Sequence, residues 1–288
     1  MSVIPRELID SLTHGPSASK TTQVANMQNY IQELLGSTHH TFLQGSYKND
    51  TAISDINDVD IVAVRLRTYS GTYSPIHATN TVFWDQIFSE IETKLRNQSR
   101  YTWNVTRGDK CVCVRGAFNA DVVPAVQVGE DHLIDPIVIY SFQDQREKLN
   151  LPRTHYKNGV EKHQATDENY KPTVRMFKNW ARNHFGEDNS VVSSYNVESL
   201  VHGVADSDFY DDRAATFILA GRSILVKLAA SNSIPSVCGG ENICANWNQG
   251  DRNQFHIQLT ESVEHALRAY RATTMREAEQ NWRAAFNL

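Results

Sequence analysis

GSYKNDTAISDINDVDIVAV, residues 45–64, decides how this chain is read. Asp58 and Asp60 stand two apart at the start of VDIVAV (59–64), a β-branched apolar run that reads as a buried strand. Side chains alternate along a strand with period two, so both carboxylates project from one face. Two adjacent carboxylates repel, and a fold has little structural reason to hold them together. A hard divalent cation supplies that reason, because Mg²⁺ prefers oxygen ligands. Just upstream, the apolar FLQGS (42–46) runs into a Gly-Ser turn. Gly45 permits close backbone approach, and Ser46 offers a hydroxyl and a backbone N–H to a phosphate. A third carboxylate, Asp121, enters another strand-like run in FNADVVPAV (118–126). Three carboxylates on neighbouring strands are what two-metal phosphoryl transfer requires.

Outward from this stretch, residues 20–35 place Val24, Met27, Ile31, Leu34 and Leu35 on one helical face, with Gly36 as a stop. Residues 81–96 repeat helical spacing through Phe83, Ile87, Phe88, Ile91 and Leu95. Short strands are expected at YTWNVT (101–106), KCVCVR (110–115) and ADVVPAV (120–126). The second half turns helical. Tyr170, Val174, Phe177, Ala181 and Phe185 form one stripe, and a further helix starts near Ser194 with Val197, Leu200, Val201 and Val204. Residues 212–230 and 261–285 read as two more helices. Between them, 232–256 is rich in Asn, Gly, Ser and Gln and reads as a long surface loop. His39–His40 reads as a polar turn.

Composition narrows the function. The 288 residues suffice for one large domain or two lobes, and 40% hydrophobic with 21% charged residues is ordinary for a soluble globular protein. With 28 Lys plus Arg against 33 Asp plus Glu, the formal charge of −5 argues against a chain whose main task is to coat a long polyanion. A small phosphorylated ligand needs only a few placed cations. No run of about 18 apolar residues marks a membrane helix. The opening MSVIPRELIDSLTHG lacks the apolar core of a secretory signal, and four cysteines make no disulfide framework. A reduced cytoplasmic protein with no membrane partner is expected.

The ordered set of GS, about ten residues, Asp-Val-Asp and a distant strand Asp resembles the polymerase-β-like nucleotidyltransferase superfamily. FLQGSY and DVDIVAV are most similar to bacterial relatives of cyclic GMP–AMP synthase and oligoadenylate synthase, the cyclic-oligonucleotide synthases (CD-NTases) of phage-defence operons. The tail REAEQNWRAAFNL also looks like the Trp-and-Phe ending of these synthases. The resemblance implies an α/β (α+β) fold: a nucleotidyltransferase lobe with a mixed sheet over 1–150, and a helical lobe over 151–288. A long N-terminal helix would span both, with the active site in the cleft between them.

The same resemblance implies two Mg²⁺ (or Mn²⁺) ions held by Asp58, Asp60 and Asp121. Nucleoside triphosphates, ATP among them, would be joined with release of pyrophosphate. Gln44, Gly45, Ser46, Lys178 and Ser194 would contact the donor nucleotide, and Tyr195 would stack on its base. The expected assembly is a monomer, with operon-encoded regulatory proteins as partners. Cys111 and Cys113 alternate on one strand while Cys238 and Cys244 lie in the loop. Without a matching His cluster neither pair is read as a zinc site. DNA activation, which in the animal enzyme uses a His/Cys zinc insertion, is not expected. Two rival readings keep the same fold: transfer to RNA, tRNA or protein, and a catalytically silent nucleotide-binding protein. The signature of the latter is loss of a metal carboxylate, and all three are present.

Overall fold

A computed structural model describes residues 2–54, 58–76, 83–186 and 191–288. In chain order the elements are α1 (Arg6–Thr13), α2 (Ala18–Leu35), β1 (His39–Gln44), α3 (Gly45–Lys48), β2 (Asp58–Tyr69), α4 (Trp84–Arg96), β3 (Asn104–Arg107), β4 (Val112–Arg115) and β5 (Asn119–Gln127). There follow β6 (Ile137–Ser141), β7 (Arg146–Asn150), α5 (Pro152–Ala165), α6 (Tyr170–Phe185), α7 (Ser194–His202), α8 (Arg213–Ala230), α9 (Gln249–Arg271) and α10 (Met275–Phe286). The chain divides into two compact units, Pro16–Asn49 with Asp55–Tyr156, and Met1–Gly15 with Asp50–Ser54 and Lys157–Leu288.

This division differs from a single cut near residue 150. The first 15 residues and 50–54 belong with the helices because α6 holds them. Asn179 donates to Leu12 O at 2.9 Å, Arg175 donates to Thr13 O at 2.7 Å, and Lys171 pairs with Asp50 at 3.5 Å. The N-terminal helix α2 counts with the sheet, and its inner face packs on β1 and α4.

The sheet unit is built on a mixed sheet in the order β1-β2-β5-β4-β3, with β6 pairing β5 and β7 pairing β6. β2 and β5 run parallel; every other pair is antiparallel. One face is covered by helices. Val24, Ile31 and Leu35 of α2 and Ile87, Phe88, Ile91 and Leu95 of α4 bury with Val59, Ile61, Ala63, Val112, Val114, Ala120 and Val122. Strand alternation sends the intervening residues to the other face, where Val62, Val64, Ala125 and Ile137 form a smaller cluster. Asp58, Asp60, Asp121 and Cys113 therefore share the face opposite α2 and α4.

Several expectations shift at their edges. Gly36 ends α2 with φ +68° as expected, but α4 opens at Trp84 and leaves Phe83 73% exposed. Residues 81 and 82 of the expected helix lie outside the described residues. The 101–106 strand begins only at Asn104, because Tyr101 and Trp103 stack on each other at 5.5 Å beside Tyr30. His39–His40 opens β1 and is not a turn; the His39 side chain is buried.

In the helical unit α6 is the hub. Its Tyr170, Val174, Phe177, Trp180 and Ala181 bury against Phe217 of α8, Phe255 and Leu259 of α9, and Trp282 and Phe286 of α10. The Trp-and-Phe tail is thus core. The 232–256 segment is not simply a surface loop. Ile234, Val237, Ile243 and Cys244 are buried, and α9 starts at Gln249 behind an Asn248/Asp251 capping box. The expected 261–285 helix is two helices, because Thr274 caps the start of α10. Among the described residues no helix is long and apolar enough to cross a membrane.

Candidate active site

The site is a row of side chains crossing four strands. In register, Gln44 of β1 faces Asp60 of β2, Asp60 faces Asp121 of β5, and Asp121 faces Cys113 of β4. Directly paired residues point to the same side of a sheet. The parallel β2–β5 pair therefore sets Asp60 and Asp121 side by side, although 60 residues separate them in sequence. Asp58 lies one pleat further along β2, opposite Asn119, and is exposed.

Gly45 makes the seat for Asp60. It carries φ +67°, a left-handed conformation that costs most residues energy. A methyl group there would overlap Asp60 Oδ2 outright and lie 3.3 Å from its Cγ. Only the bare Cα lets the carboxylate lie against the β1–α3 turn. Ser46 follows in the single turn of α3, and Gln44 is fixed by accepting from Asn150 Nδ2 at 3.0 Å. Burial, and then the charge of Asp58, pushes the Tyr47 hydroxyl above its usual pKa, so it stays neutral beside the carboxylates.

Arg115, which the sequence reading passed over, donates to Asp121 Oδ1 at 2.7 Å and also to Val114 O and Ala120 O at 3.2 Å. It balances the carboxylate charge of Asp121. Its signal in the sequence was a cation two residues beyond Cys113, on the same face of a strand-like run. The donor set fits a hard divalent cation: three carboxylates on one face, with a glycine that admits one of them to the backbone. Burial, then the Asp121 charge, pushes the Cys111 thiol well above its usual pKa.

The expected site residues of the helical unit behave differently from one another. The Lys178 side chain is only 5% exposed and its ammonium contacts Glu198 Oε2 at 3.1 Å, Thr51 Oγ1 at 3.0 Å and Thr51 O at 3.2 Å. Three acceptors match the three N–H donors of a lysine. Ser193, not Ser194, caps α7 by accepting from Asn196 N, and Ser194 is exposed in the first turn. Tyr195 is half-buried, bonds Glu241 Oε2 at 3.2 Å, and is pushed up to about 12, chiefly by burial.

The family model for the cGAS/DncV-like nucleotidyltransferase C-terminal helical domain matches residues 157–268. A cyclic UMP-AMP synthase of Rhodothermus marinus is 34% identical over 186 residues, which cover 58% of this chain and 64% of that protein, somewhat under two thirds. The cyclic nucleotide synthase CdnE01 of Staphylococcus haemolyticus is 28% identical over 256 residues, covering 76% of this chain and 82% of the relative. The solved structure of the Rhodothermus marinus CdnE c-UMP-AMP synthase superposes with a TM-score of 0.71 at 24% identity, covering 90% of this chain and 96% of that one. It shares the fold, mixed sheet and helices alike. By its matched helical domain, its fold and its relatives, this chain is similar to the cGAS/DncV-like nucleotidyltransferases.

Proposed function

We propose that this protein joins nucleoside triphosphates into a cyclic di- or oligonucleotide, in the setting of anti-phage signalling, and releases pyrophosphate. The observation that carries the reading is the side-by-side placement of Asp60 and Asp121 on parallel strands, with Asp58 one pleat away and Gly45 holding Asp60 in place. Asp58, Asp60 and Asp121 would hold two Mg²⁺ or Mn²⁺ ions. Such ions, when bound, stabilise the charge that develops on the attacking and leaving oxygens. Asp121 receives the proton that leaves the attacking ribose hydroxyl. The new bond forms at the α-phosphorus as the bond to pyrophosphate breaks. Gln44, Gly45 and Ser46 position the donor phosphates from the sheet unit. On the helical unit, Ser194 and Tyr195 are assigned to triphosphate and base. Lys178 is assigned to the donor phosphates, a role in which it would give up one of its present acceptors.

Relatives support the substrate class. The Rhodothermus marinus structure is described with Apcpp and Upnpp. The test is pyrophosphate release from the four triphosphates with Mg²⁺ or Mn²⁺. Wild-type protein is expected to release it, and Asp60→Asn and Asp121→Asn variants of native circular dichroism to lose at least about 100-fold in rate. Equal release by the variants would remove the carboxylates from the chemistry.

A further inference from the structure

We propose that Cys111, Cys113 and Asp121 form a second metal seat, for a zinc-class cation, that when filled draws Asp121 away from Asp60. The two sulfurs lie 3.5 Å apart, and one ligand atom from each of the three residues lies within 4.8 Å of the others. Tetrahedral zinc with sulfur at about 2.3 Å sets its sulfurs about 3.8 Å apart, so the thiols need move only a few tenths of an ångström. The third ligand comes from the register, which places Cys113 opposite Asp121.

The backbone is shaped around the sulfurs. Gly108 N donates to Cys111 O at 2.8 Å, closing a turn over the pair. A Cβ at Gly108 would come 3.1 Å from Cys113 Sγ and 3.2 Å from Cys111 Sγ, so glycine admits both thiols to one point. Sulfur ligands select zinc over magnesium, which makes this seat chemically distinct from the oxygen set of Asp58 and Asp60. Three protein ligands leave a fourth position open to solvent or phosphate. Binding exchanges the two thiol protons, released to solvent, for the cation, which also replaces Arg115 as the counter-charge of Asp121. A carboxylate oxygen of Asp121 taken up by zinc beside Cys113 is no longer offered to a cation beside Asp60. Zinc therefore inhibits a reaction run in excess Mg²⁺. This inhibitory half rests on the catalytic reading of Asp121; the binding half does not.

The full-length protein is titrated with Co²⁺ as a spectroscopic stand-in, then with Zn²⁺ in competition. One equivalent giving a thiolate-to-cobalt charge-transfer band, abolished in Cys113→Ser and kept in Cys238→Ser, is expected. Absence of that band in wild-type protein overturns the seat whether or not any variant folds. In parallel, the Zn²⁺ concentration that halves pyrophosphate release is expected to rise about tenfold or more in Cys113→Ser, relative to that variant's own rate. A cobalt band without zinc inhibition overturns the withdrawal of Asp121 and leaves the binding half standing. A protein that binds cobalt yet releases no pyrophosphate in Mg²⁺ refutes the proposed function, not the seat.

Discussion

Gly45→Ala isolates the one contact on which the site geometry turns, because the chain supplies its own control. Gly45 and Gly36 share a positive φ, +67° and +68°. An alanine held at positive φ is strained at either position, by about 1–3 kcal/mol. The surroundings differ. Nothing lies within 4 Å of a Cβ at Gly36, whereas at Gly45 that atom overlaps Asp60 Oδ2. To regain ordinary contact the Asp60 carboxylate must retreat by about 1 Å, and a misplacement of that size in a catalytic group costs on the order of 100-fold in rate. Thermal unfolding and pyrophosphate release at saturating triphosphate separate the two effects. Both variants are expected to unfold a few degrees early. Only Gly45→Ala loses about 100-fold in rate. Gly45→Ala activity within about threefold of wild type, or equal losses in Gly36→Ala, would refute the argument.

Three further outcomes follow from buried groups. Lys178→Met removes the cation from the Glu198 carboxylate, whose side chain is 4% exposed and keeps only neutral donors such as Thr51 Oγ1, and is expected to cost about 3 kcal/mol in urea unfolding. Lys178→Met/Glu198→Leu should recover most of that loss, and a single variant as stable as wild type would contradict the pairing. His39 is pushed down to about 4, chiefly by burial, from an ordinary 6.5, so the folded protein keeps it neutral. The unfolded chain then binds the extra proton. Stability is full above about pH 6.5 and falls as pH drops toward 4, by about 2 kcal/mol near pH 5. His39→Gln is expected to flatten that slope; an unchanged slope contradicts it. Gly221→Ala puts a Cβ 2.5 Å from Val263 Cγ2 between α8 and α9, for a loss of about 1–3 kcal/mol read as an earlier thermal transition.

What the sequence made legible was local. Asp58 and Asp60 sit at the mouth of a β-branched run, and their shared face follows from period two alone. The stripes of α2, α4 and α6 were visible because every third or fourth residue is apolar and ends up buried. What it hid was pairing across distance. Nothing in FNADVVPAV says that its partner is β2 in register Asp60–Asp121, or that β4 on its other side brings Cys113 and Arg115 to the same carboxylate. β7 escaped because REKLN, on the edge strand, shows almost no apolar alternation, whereas β6, the β-branched IVIYS, was legible and was passed over. The start of α9 was concealed within an Asn- and Gly-rich run, although N-x-x-D at 248–251 is itself a start signal. Lys178 resembled a ligand by position, yet burial beside Glu198 and Thr51 gives it acceptors of its own, a fact that spacing on one helix cannot express.

The most direct test of the central claim is incubation with four radiolabelled triphosphates and Mg²⁺ or Mn²⁺, followed by phosphatase and chromatography, beside Asp58→Ala/Asp60→Ala. The account predicts a phosphatase-resistant small product that is lost in the double variant. The same resistant product from the double variant, or label recovered only on RNA or protein, would contradict it.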